Sequence, residues 1–215
     1  MMKKQTNPMN VAGLLVVTLL AVVCVSAQTP APQPAVTPIP ARAVEDPKAP
    51  AGWRRYQFGE APIFSVILPS QPEATAEGAP GLPTAVVNLY ITTNDNAVYA
   101  ASRLQGLGVN METAPEAARA TFFKNYVEGF TRGFHSSLAQ NNITHELKML
   151  PPTKVRAANR EAFQQDFTVG PLTGRAQLTF AGTAAFCIIT VWNPHTPAVD
   201  REAFLNSFQL TGTPK

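Results

Sequence analysis

The side chains able to do chemistry are few and spread along the chain. His135, His145 and His195 are the histidines, the residues whose ordinary pKa lies nearest neutrality. His135, His145 and Glu146 make the one candidate metal set, because imidazole nitrogen and carboxylate oxygen both suit zinc. No i, i+4 pair occurs among them, and ten residues with a helix end separate the two histidines. Solvated or capping roles account for them better, so no metal is expected. Acid pairs offer less. Glu161 and Asp166 lie five apart on a strand and point to opposite faces. Asp200 and Glu202 are ordinary acids for the first turn of a helix. Trp53-Arg54-Arg55 would present an aromatic ring and cations to a docking partner, or guard an edge strand with charge.

Cys187 is the one thiol of the folded part. It lies in the run from Ala184 to Trp192, and no charged residue occurs from Ala176 to Val199. A reactive thiol needs an electropositive, partly open setting, so packing is its expected role. There is no Gly-x-Ser-x-Gly elbow, Walker loop, dinucleotide fingerprint, His-Glu-x-x-His or Cys-x-x-Cys. No catalytic residue and no cofactor is assigned, and a non-enzymatic protein is expected.

The elements that must position these residues come from one domain. The chain has 215 residues, 45% hydrophobic and 14% charged, which excludes a highly charged disordered polymer. Lys and Arg number 17 against 14 Asp and Glu. Lys3 and Lys4 belong to the leader, and without them the balance is 15 to 14, a net of +1. With no basic run, nucleic acid is not an expected partner.

The leader has a basic head, an apolar run from Val11 to Val25, and the small-residue exit Val25-Ser26-Ala27. That is the pattern of a secretory signal, residues 1–27, cleaved before Gln28. The alternatives are an uncleaved anchor through residues 11–25, or a lipid on Cys24, whose Val23 neighbour fits a lipoprotein box poorly. Membrane contact is expected only through such an N-terminus. Residues 28–51 hold seven prolines in 24 positions and read as a disordered Pro-rich linker. The destination is periplasmic or extracellular.

Residues 52–213 read as one α+β domain. Trp53 to Phe58 and Ile63 to Leu68 are strands, and Glu77 to Pro83 is a Gly/Pro/Ala loop. Ala85 to Ile91 pairs with Ala97 to Leu104 around an Asn-rich turn. Thr113 and Glu116 form a capping box for one long helix. Its Phe123, Tyr126, Val127, Phe130, Phe134 and Leu138 recur at helical spacing and face a core. Gly129 and Gly133 share one edge of that helix, where a strand or a ligand would come close. A pocket between sheet and helix would then draw on Tyr126, Gly129, Gly133 and Trp192. Strands follow over 143–150, 155–158, 161–169, 176–180 and 184–192. A short helix comes last, capped by Thr196, with Val199, Phe204 and Leu205 inward.

The order Tyr56-x-Phe58, Phe64-Ser-Val-Ile-Leu-Pro69 with Pro72, hairpin, long helix, meander and Phe204-Leu-Asn-Ser-Phe208 resembles the PsbP-like superfamily. That group includes the extrinsic PsbP subunit of photosystem II and the DcrB-type exported bacterial domains. The resemblance covers about residues 53–210. It implies an α/β/α sandwich around a central antiparallel sheet, with one long helix and a short C-terminal helix. It implies docking on a larger assembly and carries no catalytic motif. The expected function is an exported interaction module of the bacterial cell envelope with a protein partner. The alternative is a small-ligand or metal-binding protein that uses the helix–sheet pocket.

Overall fold

The computed structural model describes residues 36–59, 63–79, 82, 84–140 and 143–211. At its centre two apolar strands run antiparallel, β6 (Ala97–Gln105) and β11 (Ala184–Trp192), with Ser102 opposite Cys187. To one side of β6 lie β5 (Val86–Thr93) and β4 (Glu73–Gly78). Beyond β11 lie β10 (Leu172–Ala181) and β9 (Arg160–Val169). Two short strands share the far edge of β9: β7 (Leu147–Met149) and β8 (Thr153–Ala157). A second, four-stranded sheet has the order β1 (Ala41–Val44), β2 (Arg54–Phe58), β3 (Phe64–Leu68), β12 (Gln209–Leu210). The helices are α1 (Glu116–Gln140) and α2 (Ala198–Leu205).

Strand alternation sorts the side chains of the large sheet into two cores. Ala185, Cys187, Ile189 and Val191 of β11 join Phe123, Tyr126, Phe130 and Phe134 of α1. Ala184, Phe186 and Ile188 point the other way, into Tyr56, Phe58 and Phe64 of the small sheet and Phe204 of α2. The fold is therefore α+β. A second, smaller sheet, which the resemblance does not imply, shares with α2 the layer opposite α1.

The small sheet begins earlier than composition suggests. Residues 36–51, expected to belong to the disordered linker, are folded, and β1 pairs with β2 from Ala41–Phe58 to Val44–Arg55. Prolines 38, 40, 47 and 50 flank this strand and none falls inside it, as suits an edge strand that must still donate to one neighbour. Two further locks hold the arm. Asn88 Oδ1 accepts from the Ile39 amide at 3.1 Å, and Tyr90 Oη donates to the Ile39 carbonyl at 2.9 Å. Arg55 Nε donates to Asp46 Oδ2 at 2.7 Å, while its Nη1 reaches Ser65 Oγ at 3.0 Å and the Ser207 carbonyl at 2.8 Å.

Other local expectations are corrected. The stretch starting at Glu77 is not all loop, because β4 pairs with β5 as far as Gly78–Val86. The Thr113 hydroxyl donates to the Asn110 carbonyl and Glu116 pairs with Lys154, so the capping box does not form. Thr196 donates to the Asn96 carbonyl instead of capping α2, and Pro197 holds the cap position. Val199 is 64% exposed, since only Phe204 and Leu205 of α2 reach the core. The strand expected over 143–150 shrinks to β7.

One glycine has a clear packing reason. Gly174 pairs with Phe167, and the Phe167 ring lies across its backbone where a Cβ would stand. That ring is fully buried and meets Phe130 edge-on at 5.2 Å and Phe134 at 5.7 Å. The aromatic ring fills the space the glycine leaves and has no room to retreat. Gly174→Ala is expected to destabilise the fold by about 1–3 kcal/mol, the usual cost of overpacking, read as a lower urea midpoint.

The arm supplies a pH-dependent contribution. The backbone amide of Lys48 does most to lower the Asp46 pKa from 3.8; burial opposes it, and the Arg55 guanidinium adds to the lowering through its hydrogen bond and its charge. A depressed folded-state value means stability present above the unfolded pKa and lost as pH falls through the folded one. Asp46→Ala should cost about 1–3 kcal/mol at neutral pH. The gap to the parent protein should close between about pH 5 and pH 2 in denaturation curves.

Candidate functional site

A concave apolar surface arises from a register shift. Along the far edge of β9, Met149 pairs with Phe167 but Thr153 pairs with Gln164, so the outer strand carries one extra residue between them. Leu150-Pro151-Pro152 is this bulge, and a bulge bends its strand and breaks the pairing. Proline suits the position because it has no amide to donate. The Leu150 amide donates to the Asp166 carbonyl at 2.9 Å, and the side-chain amide of Gln165 donates to the carbonyls of Leu150 and Asp166. Gln165 is buried and ties the bulge to β9. Leu150 is left 48% exposed.

Between the bulge and the N-terminal half of α1 lies a groove of about 580 Å³. Phe123 and Val127 of α1 and Phe163 of β9 line it, with Leu150 and Pro152 as the facing wall. Phe123 and Phe163 stack with ring centroids 4.8 Å apart and planes at 16°. Lys124, Glu128 and Lys154 also line it. Lys154 pairs with Glu116, which lowers that carboxyl and raises the lysine. The arrangement offers apolar burial inside and balanced charge around it.

The candidates from sequence fall elsewhere. Tyr126, Gly129 and Gly133 are buried on the core side of α1. Tyr126 also lines a smaller recess of about 210 Å³ with Phe122, Leu107 and Met111. Burial, reinforced by Cys187, pushes the Tyr126 hydroxyl well above its usual pKa, and a hydrogen bond with Ser102 works against that. Trp192 belongs to the opposite core and lies under the Arg201 guanidinium, 5.1 Å from the ring centroid. Tyr126 and Trp192 therefore cannot share a pocket, because the large sheet stands between them. Residue parity along β11 already separates Trp192 from Cys187.

The Trp53-Arg54-Arg55 patch divides as well. Trp53 packs edge-on against Tyr99 at 5.1 Å, and Arg55 is the buried anchor of the arm. Arg54 is exposed and borders a shallow depression of about 430 Å³ with Trp53, Glu45 and Asp46. His135 and His145 are exposed. The His145 ring covers Gly170, where a Cβ would come within 2.7 Å of it, and Glu146 pairs with Lys148 at 3.6 Å. Among the described residues no three His, Cys, Asp or Glu side chains stand close enough to hold a metal. Cys24 and the leader lie outside the described residues.

The groove was missed because no polar motif marks it. The readable signal is Pro151-Pro152 interrupting a strand pattern, which points to a bulge at an edge.

No family model matches the chain, and no curated protein matches it. Among solved structures, a protein from Bacteroides thetaiotaomicron VPI-5482 is similar at 13% identity and a TM-score of 0.35. The match covers 70% of this chain and 46% of that one, so the chain spans less than half of that protein's length. A likeness of this size carries no argument about fold or function.

Burial raises the Cys187 thiol to about 12. It should stay protonated and unreactive toward Ellman's reagent at pH 8 in the native protein. Full reaction is expected in denaturing urea, and fast native labelling would contradict a packing role.

Proposed function

We propose that this protein is an exported, non-enzymatic interaction module of the bacterial cell envelope, and that a protein partner docks in the groove between α1 and the β7–β8 edge. The observation that carries this reading is the groove itself: stacked Phe123 and Phe163, and a Leu150 wall half open to water. Concave apolar surface with a charged rim is what a docking interface uses. The leader pattern of residues 1–27 supports export. Among the described residues no helix is long and apolar enough to cross a membrane. In this reading the layers are a variant of the α/β/α sandwich of the PsbP-like superfamily, with a small sheet added beside the C-terminal helix.

The volume of the groove favours one second reading. About 580 Å³ lies within the range that takes drug-sized molecules. A small apolar ligand would then occupy the same place.

A photo-crosslinking residue at Leu150, introduced in the native cell envelope, tests both. A discrete protein adduct at Leu150, absent when the probe stands at the exposed Val199 of α2, is the expected result. Equal labelling from both positions, or none, would overturn the docking reading. An added small-molecule mass in the native mass spectrum of the purified protein would favour the ligand. That spectrum also reads the leader, with a mature chain expected to begin at Gln28.

A further inference from the structure

The β8 strand that borders the groove is an open edge. Its hairpin with β9 turns at Ala158 and Asn159, whose φ values of 50° and 62° give the mirror-image turn that two-residue hairpins prefer. Ala157 and Arg160 then form the hydrogen-bonded pair that closes the turn. Bonded and non-bonded pairs alternate along an antiparallel ladder. Val155 and Thr153 therefore bond to β9, while Lys154 and Arg156 turn their amides and carbonyls outward. Among the described residues no strand pairs with that outer side.

We propose that this edge takes up an extended acidic segment of a partner protein as an added β-strand, with an apolar side chain seated in the groove beside α1. The inference rests on the docking reading above and gives its partner a chemistry. Three observations combine. The outward groups of Lys154 and Arg156 offer two donors and two acceptors, the backbone currency of strand addition. The outer strand, residues 147–157, carries Lys148, Lys154 and Arg156 and no acid. Lys154 and Arg156 lie opposite Phe163 and Glu161, on the α1 side of the sheet.

The side-chain pattern of the segment follows from cross-strand pairing. Lys154 already pairs with Glu116 and Glu161. The Arg156 guanidinium donates to the carbonyl of Asn159 in its own turn and has no carboxylate partner among the described residues. An acidic side chain of the incoming strand therefore belongs beside Arg156. Same-face positions recur every second residue. Four residues along, beside Pro152, the incoming side chain meets Leu150 and Val127, so that position is apolar. Pro152 has no amide and ends the ladder there.

The probe is a fluorescein-labelled hexapeptide, Thr-Leu-Thr-Glu-Thr-Glu, together with its reversed order, titrated at low salt and followed by anisotropy. Saturable binding of one orientation is expected. Replacing both Glu by Lys should weaken it by about tenfold or more. N-methylation of the amides facing β8 should abolish it, and Arg156→Glu should weaken the Glu peptide by about tenfold while improving the Lys peptide. Arg156 is exposed, so this variant is expected to fold even where the groove-filling Val127→Trp does not. Binding that survives N-methylation but is lost in Val127→Trp would overturn strand addition and leave groove docking standing. No binding by either orientation, with a discrete Leu150 adduct in the envelope, would overturn this inference alone. Neither binding nor adduct would overturn both.

Discussion

Strands β6 and β11 are buried along almost their whole length on both faces, and the rest of the molecule is arranged to cover them. A fully buried Phe or Ile contributes about 1.5–3 kcal/mol relative to exposure, so leaving either face of these strands wet would be prohibitive in a fold of ordinary stability. On one face the cover is α1, whose aromatic stripe interlocks with Phe163 and Phe167. On the other it is the four-stranded sheet and α2, joined through Phe64, Phe186 and Phe208. The N-terminal arm is drawn into the fold for the same reason: β1 completes the smaller cover.

The groove is where that cover stops. α1 reaches across the large sheet to β9, where Phe123 stacks on Phe163, and the β7–β8 edge forms the far wall of the groove. The bulge turns Leu150 outward and lets Gln165 satisfy backbone groups that regular pairing would have used. The acidic β4 at the opposite edge, with Glu73 and Glu77 exposed, lies beside none of the recesses described above. The two ends of one sheet thus differ in charge and in shape.

What could be read in advance was whatever side-chain pattern encodes directly. The bounds of β11 agree with its apolar run, and Phe123, Tyr126, Phe130, Phe134 and Leu138 are buried as their spacing requires. What could not be read rests on the backbone. The outer edge strand β4 needs only the pairing offered by β5, so its side chains carry no alternation. β1 hides in proline-rich composition because its partner lies beyond a turn. One extra residue at Leu150–Pro152 reverses the side-chain phase, so any extrapolation across it puts the wrong residues on the helix side. The pocket drawn from Tyr126 and Trp192 failed more simply, since the two residues lie on opposite faces of the sheet.

The register of the small sheet sets one mechanical property. Ala41, Phe58, Phe64 and Leu210 form a single row across its four strands. The described chain thus enters and leaves at the same end of the sheet, on its two outer strands, roughly 14 Å apart at about 4.8 Å per strand. Tension between those points acts across the strands rather than along them, and opens the ladder one pair at a time. The Ile39 clamp to Asn88 and Tyr90 stands ahead of the first pair. It makes two side chains, and not the sheet, the first resistance to any pull on the arm.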